Sequence, residues 1–472
     1  MITVQRRFSL LEEIKKTQEM AKKHQHPMLF SYAVQIEQKD PLQLFALIDQ
    51  LKPDWEHFFW TTPDRDFLLC GFGVEMSIEN QYRDESRYYT VEAIWNEWKA
   101  YTYKTGINQY GTGPLLFGGF SFDPKKMKKT EKWDDFTSAK FHLPQVLITK
   151  DENKWFITLN KVVSEQEQPL LYEEQLELWL KIINEDSHLF KQQAKVKETM
   201  VFHEKEWIQA VEKATSAIKR GSFEKVVLAR DVLVSFDSPL SIGSILYRLE
   251  ENQKSSFLFS FQVGDKSFIG ATPERLIKKN REKVHSACVA GSIRRGATMK
   301  EDESLGAALL ADEKNLHEHE VVVRMITNAF EECCSSLKKE NRPNLLKTKN
   351  IQHLFTPIEG FVRDGYSIMD FVEKLHPTPA LGGYPKKESL RFIREEEPMD
   401  RGWYASPIGW FDNEDNGEFV VAIRSGLIHQ QAAHLFAGCG IVEHSNPNEE
   451  WEETEVKLGP MMDALGGLHN EE

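Results

Sequence analysis

The sequence predicts an α+β fold built on antiparallel sheet. Two observations carry this expectation. Strand-like segments follow one another through short polar turns, which is hairpin and therefore antiparallel connectivity. Helix-like segments fall between groups of hairpins rather than between single strands, which disfavours a doubly wound parallel sheet.

Taken in order, apolar residues recur at helical spacing over about Phe8–Lys23 and at strand spacing over Met28–Ile36 and Phe67–Ile78. The run Leu143–Val163 reads as a hairpin, with LPQVLITK and WFITLNKVV flanking Asp151, Glu152 and Asn153. Tyr172–Phe190 and His203–Lys219 read as amphipathic helices, separated by the polar stretch Gln192–Glu198. That stretch is the one plausible internal boundary, and it is too short to predict two independent units. The strand Lys225–Phe236 leads to a helix over Ile242–Glu251 and a hairpin about Gly264 and Asp265. A strand over Val284–Ser292 and a long helix over Asp312–Leu337 follow. After Gly402 come three strands, WYASPIGWF, EFVVAIRSGLI and AAHLFAGCGIV, and a terminal helix over Pro447–Leu465.

The 472 residues are enough to bury a large core. Lys plus Arg number 59 and Asp plus Glu 73, a net charge of −14. An acidic chain lacks the basic footprint that nucleic acid or an anionic membrane surface requires. For a small anionic ligand the bulk charge decides little, because charges beyond about 8 Å are screened at physiological salt. Five cysteines, an odd number with no CxxC spacing, suit a reducing compartment. MITVQRRFSLLEEIKK has no signal-peptide core, and no run of about 18 apolar residues occurs. A cytoplasmic protein, monomeric or weakly dimeric, is expected.

Chemistry-bearing residues stand out at few places. Glu450 and Glu453 are spaced i, i+3 on the terminal helix, and Lys457 continues their face. Glu318 precedes an apolar helical run. Carboxylates alone suit Mg²⁺ or Mn²⁺ rather than zinc, although Glu-rich helix surfaces are more often solvated faces. His317 and His319 are spaced i, i+2 and diverge, so HEHE is not the zinc motif HExxH. GxSxG, P-loop and dinucleotide fingerprints are missing. Lys225 opens an apolar strand, where a lysine can lose its proton and act as a base; more commonly such a lysine snorkels to solvent. Glu274 follows Pro273 at a strand exit. A buried carboxyl there could stay protonated and serve as an acid, and a surface turn is the simpler alternative. Glycines flank Cys439, where a ligand can approach the backbone closely.

Ten blocks in order, FEKVVLAR, FIGATPERL, AGSIRRG, HEHEVV, QHLFTPIEG, LHPTPALGG, RGWYASPIGW, FVVAIRS, AGCGIV and EEWEETEVKL, resemble the chorismate-utilising enzyme family. They run from about His203 to Leu465, over half the chain, and are most similar to those of isochorismate synthases. The overall length resembles the menaquinone-specific type. The resemblance implies two large antiparallel sheets packed together with helices outside. Residues 1–200 would supply elements to the same globule, and 201–466 would form the chorismate-binding catalytic region.

The resemblance also implies roles. Lys225 matches the base that activates water for attack at C2 of chorismate, and Glu274 the acid that protonates the departing C4 hydroxyl. Glu318 and Glu453 match Mg²⁺ ligands, and Glu450 a water-mediated one. Arg424 and Tyr404 match residues at the pyruvyl carboxylate; Lys457, Gly438 and Gly440 match the ring-carboxylate side. His353 matches a residue near the ring, and Gly291 and Ser292 match the family's AGT segment, with Ser for Thr. Asn315 stands where several members carry a further acidic residue. Lys225 fits water as nucleophile, where anthranilate synthases carry Gln, so no glutamine amidotransferase partner is expected. Ala380 stands where salicylate synthases carry Thr, which favours stopping at isochorismate. The alternatives are a pyruvate-releasing relative such as a salicylate synthase, and a non-catalytic Mg²⁺-dependent metabolite binder. A pure binder would need no acid–base pair.

Overall fold

A computed structural model describes residues 4–51, 55–81, 84–126, 131–166, 194–347 and 351–466, with positions 174, 177–179 and 181–182. The strands form one continuous hydrogen-bonded network that folds into two layers. The first layer runs from Thr102–Gly106 through Met28–Ile36, Lys154–Val163, the far half of Ala139–Asp151 and the near half of Phe67–Asn80 to His57–Thr61. It continues through Phe257–Val263, Lys266–Thr272, Ser425–His429 and Ala432–Ile441 to Lys225–Phe236. The second contains Leu115–Phe120, Pro407–Asp412, Gly417–Val421, Arg275–Asn280, Lys283–Arg294 and Ile351–Val362. Among the described residues only Met28–Ile36 with Thr102–Gly106 pairs in parallel.

One long antiparallel strand pair belongs to both layers. Phe67–Asn80 pairs with Ala139–Asp151 along its whole length, with a bulge between Val74 and Met76. The far half of Ala139–Asp151 also pairs with Lys154–Val163, and its near half with Leu115–Phe120. A bulge adds twist and bends a strand, so this strand pair can turn from one layer into the other. The two sheets are therefore one sheet folded on itself.

Alternation of apolar residues along these strands fills the space between the layers. Phe58 stacks on Phe117 at 4.4 Å, Phe67 on Trp410 at 5.3 Å and Phe261 on Trp403 at 5.6 Å. A second core lies beneath Pro41–Leu51, Ile242–Asn252 and Pro447–Leu465, where Phe45, Ile245, Leu249, Met461 and Leu465 are buried. Residues before 200 thus pair with, and pack on, residues after it. Within the described residues, no helix is long and apolar enough to cross a membrane.

Most expected elements are present. The helix Val4–His24, the strand Met28–Ile36 and the helix Pro447–Leu465 lie where spacing puts them. Asn446 caps that terminal helix by accepting from the Asn448 amide, Pro447 starts it, and Gly466 ends it at φ 91°. The predicted helix Tyr172–Phe190 lies mostly outside the described residues; Trp179 within it packs on Trp55. The polar stretch expected as a boundary leads into an edge strand, Val196–Val201, paired with Lys225–Phe236.

Two expectations are corrected. The helix predicted to reach Leu337 ends at Cys333, because Cys334–Lys339 pairs with Ile351–Val362 and the Arg363 amide takes the Cys333 carbonyl. EFVVAIRSGLI is two strands, because Gly417–Val421 lies in the second layer and Ser425–His429 in the first.

Phe117, fully buried between the layers, touches Phe58, Trp60 and Phe261. Phe117→Ala is expected to cost about 3–5 kcal/mol. Urea unfolding should remain a single transition by tryptophan fluorescence and far-ultraviolet dichroism, since the layers share strands.

Candidate active site

The site forms where the chain passes between layers twice, side by side. Lys266–Thr272 belongs to the first layer and Arg275–Asn280 to the second, so Pro273 and Glu274 make one crossing. Ala422–Arg424 makes the other. Their backbones are tied: the Val421 amide donates to the Glu274 carbonyl at 3.0 Å, and the Ala271 amide to the Arg424 carbonyl at 3.1 Å. Arg424 adopts φ 49° and the nearby Ala405 φ 61°. Non-glycine residues rarely hold the left-handed region, and such strain concentrates at functional sites.

Between the crossings lies a cavity of about 170 Å³. Glu274, Ala380, Tyr404, Arg424, Gly438, Gly440 and Lys457 line it, together with Arg401, Phe436 and Cys439. Burial raises the Glu274 carboxyl to about 7, with Thr378 and Arg424 pulling the other way. The Thr378 hydroxyl is buried, faces that carboxyl and lacks a well-formed hydrogen bond. Burial lowers the Arg424 guanidinium, and Glu274 partly offsets this. Burial raises the Tyr404 hydroxyl, so it remains a neutral donor, and its ring stacks on Phe436 at 5.5 Å.

Lys225 is half-buried, and its Nζ lies 3.1 Å from Glu318 Oε2. A Cβ on Gly440 would stand 2.7 Å from Lys225 Cε. Glycine at 440 is therefore what lets this lysine lie against the cavity wall. Lys457 donates to the Gly438 carbonyl at 2.9 Å and pairs with Glu453 at 2.6 Å. Glu450 accepts from Ser445 through Oε1, while its Oε2 is buried without a well-formed hydrogen bond and the Cys439 thiol lies against the carboxylate.

The three glutamates offer only hard oxygen donors. The poorly satisfied Glu450 oxygen needs a cation or stronger donor, and this chemistry fits Mg²⁺. They are not gathered into one shell: Glu318 faces Lys225 and Glu453 faces Lys457. Among the described residues no group of three or more His, Cys, Asp or Glu is placed to hold a metal.

The remaining predicted residues lie outside the lining of this cavity. Ser292 Oγ is 2.6 Å from His353 Nδ1, and His353 is lowered by burial and by Arg424. Gly291, at φ 81°, leaves room for Asn315; its Cβ would stand 3.1 Å from Asn315 Oδ1. Asn315 is bonded to Asp312, the cap of the helix Glu313–Cys333. On the same helix His319 is buried between the Ala290 carbonyl and the Thr356 hydroxyl, at 3.0 and 2.8 Å. His319 thus seats Glu318's helix on the sheet.

Spacing alone did not single out Thr378 or the buried pair Arg401–Glu397. Arg401 binds Glu397 at 2.6 Å and the carbonyls of Leu381 and Val227, fixing two stretches of cavity wall. Their i, i+4 spacing was the available signal.

A protonated carboxyl, a lysine and cationic walls around a small cavity define an acid–base site for a small anionic ligand. The chain belongs to the chorismate binding enzyme family, whose model matches residues 13–466. It is 44% identical to the isochorismate synthase MenF of Bacillus subtilis, over 98% of this chain and 99% of the relative. It is 32% identical to the salicylate biosynthesis isochorismate synthase of Pseudomonas aeruginosa, over 94% and 91%. The fold is similar to that of MenF, the menaquinone-specific isochorismate synthase from Escherichia coli, with TM-score 0.77 and 22% identity over 96% of this chain and 100% of that one.

Because the folded Glu274 carboxyl is raised from 4.5 to about 7, its stabilising contribution is full at low pH and lost as pH rises through about 7. The urea midpoint of the wild type should therefore fall between about pH 5 and 8 relative to that of Glu274→Gln. Parallel pH profiles would show that this carboxyl is not held protonated.

Proposed function

We propose that this protein is an isochorismate synthase: it converts chorismate to isochorismate, adding water at C2 and releasing the C4 hydroxyl. The observation that carries the reading is a carboxyl raised to about 7 in the same cavity wall against which Lys225 lies. The full-length identity to a relative named for that activity supports it. The MenF name that this relative shares with the menaquinone-specific enzyme of similar fold points to a role in menaquinone biosynthesis.

In this reading Lys225 takes a proton from water as its oxygen attacks C2. The ring double bond shifts, and the C4–O bond breaks as Glu274 gives the leaving hydroxyl its proton. One water enters and one leaves, so substrate and product are isomers, and solvent returns the proton from Lys225 to Glu274. An acid still protonated near neutrality is what this step requires. Arg424 and Tyr404 hold the pyruvyl carboxylate; Lys457 and the Gly438–Gly440 backbone face the ring carboxylate. Glu318, Glu450 and Glu453 would hold Mg²⁺. When bound, the metal would neutralise the ring carboxylate so that the ring accepts electron density. Water as nucleophile needs no ammonia-delivering subunit.

Chorismate with Mg²⁺ should yield isochorismate by chromatography, and a lactate dehydrogenase–NADH assay should detect no pyruvate. Stoichiometric pyruvate would reassign the protein to a pyruvate-releasing reaction. Chelation with EDTA should abolish turnover, and Mg²⁺ should restore it. Lys225→Ala should lose about 10²–10⁴-fold in kcat while still binding chorismate by calorimetry; a normal kcat would remove Lys225 as base.

A further inference from the structure

We propose that Arg230 is a positioning residue for the metal-binding carboxylates: it sets the rotation of the terminal helix about its axis. This rests on the reading of Glu450 and Glu453 as metal ligands. Arg230 lies on Lys225–Phe236, opposite Ala437 of the strand that carries Gly438 and Gly440. Its side chain is almost wholly buried, at 1% exposure. The guanidinium lies 3.6 Å over the Trp451 ring. Its Nε donates to Thr454 Oγ1 at 2.6 Å and its Nη2 to Glu455 at 2.5 Å, while Nη1 is buried without a partner.

Those three partners are interleaved with the two candidate metal ligands. Trp451 follows Glu450, and Thr454 and Glu455 follow Glu453. Gripping 451, 454 and 455 therefore decides where 450 and 453 point. Apolar packing does not make that choice. Leu458, Met461, Ala464 and Leu465 anchor the far half of the helix. Pro460 lies within that far half, where it cannot donate a helical hydrogen bond. In the acidic half Trp451 is only half-buried, packed edge-on to Trp207 at 5.4 Å. The cation stacks on one face and bonds at fixed angles from its fork, so the contact is directional, as a lysine's would not be.

The test uses the full-length protein and Mn²⁺ as a spectroscopic probe. Arg230→Met and the milder Thr454→Val should each fold, with circular dichroism unchanged. Direct Mn²⁺ binding, read by electron paramagnetic resonance without substrate, should weaken about 10–100-fold in Arg230→Met. It should weaken less in Thr454→Val, and Arg230→Lys should not restore it. In assays the Mg²⁺ activation constant should rise by a similar factor, with kcat at saturating Mg²⁺ and KM for chorismate within about threefold of wild type. Leu458→Ala, which loosens the apolar half, should lower Tm and leave Mn²⁺ binding unchanged. If Arg230→Met does not fold, Thr454→Val decides. Wild-type affinity in the folded variants would overturn the positioning role alone. A wild-type protein that binds no Mn²⁺ would overturn the metal reading and this inference with it.

Discussion

Two backbone hydrogen bonds at the layer crossings set the geometry on which the site depends. One joins Val421 to Glu274 and the other Ala271 to Arg424. They hold together two chain segments that leave the first layer at the same place. A continuous strand would send alternate side chains to opposite faces at fixed spacing. A crossing breaks that rule, and Arg424 meets the break with a left-handed backbone. The acid and the cation therefore face one cavity between layers that are elsewhere filled with aromatic rings.

The remaining parts of the site depend on that cavity in different ways. Gly440 leaves space for the Lys225 side chain where any Cβ would collide. Arg401 with Glu397 is a fully buried pair whose spare donors fix the Leu381 and Val227 carbonyls. Burying such a pair is costly unless every donor is used, and here it stiffens the wall facing Glu274. Two lysines stand on two of the three candidate metal carboxylates. The acidic bulk charge does not oppose an anionic ligand, because the cavity wall itself presents Arg424 and Lys457.

Much of the fold was legible along the chain. Periodicity located the hairpins and the terminal helix, since caps, turns and alternation are local effects. It failed where pairing decided the outcome. Cys334–Lys339 continues a helical pattern, yet the edge of Ile351–Val362 captures it. FVVAIRSGLI looks like one strand because its apolar alternation survives the change of layer. Of the site, the ordered blocks singled out Lys225, Glu274, Arg424, Tyr404 and Lys457, and the structure sets them in or against one cavity. Ser292 and His353 meet each other outside its lining. Thr378 escaped notice because a hydroxyl between prolines carries no spacing signal, and Arg401 because an i, i+4 pair is usually a surface feature.

The sequence by itself determined the element types, the antiparallel class and the chemical identity of the acid, the lysine and the carboxylates, because these follow from residue type and local periodicity. Tertiary structure decided which carboxyl is protonated near neutrality, since only desolvation by distant segments lifts Glu274 to about 7. It also decided that a lysine from one strand, an arginine from a layer crossing and a helix from the chain's end share one site. Those residues lie up to 232 positions apart, from Lys225 to Lys457, and only the folding of one sheet upon itself brings them within reach.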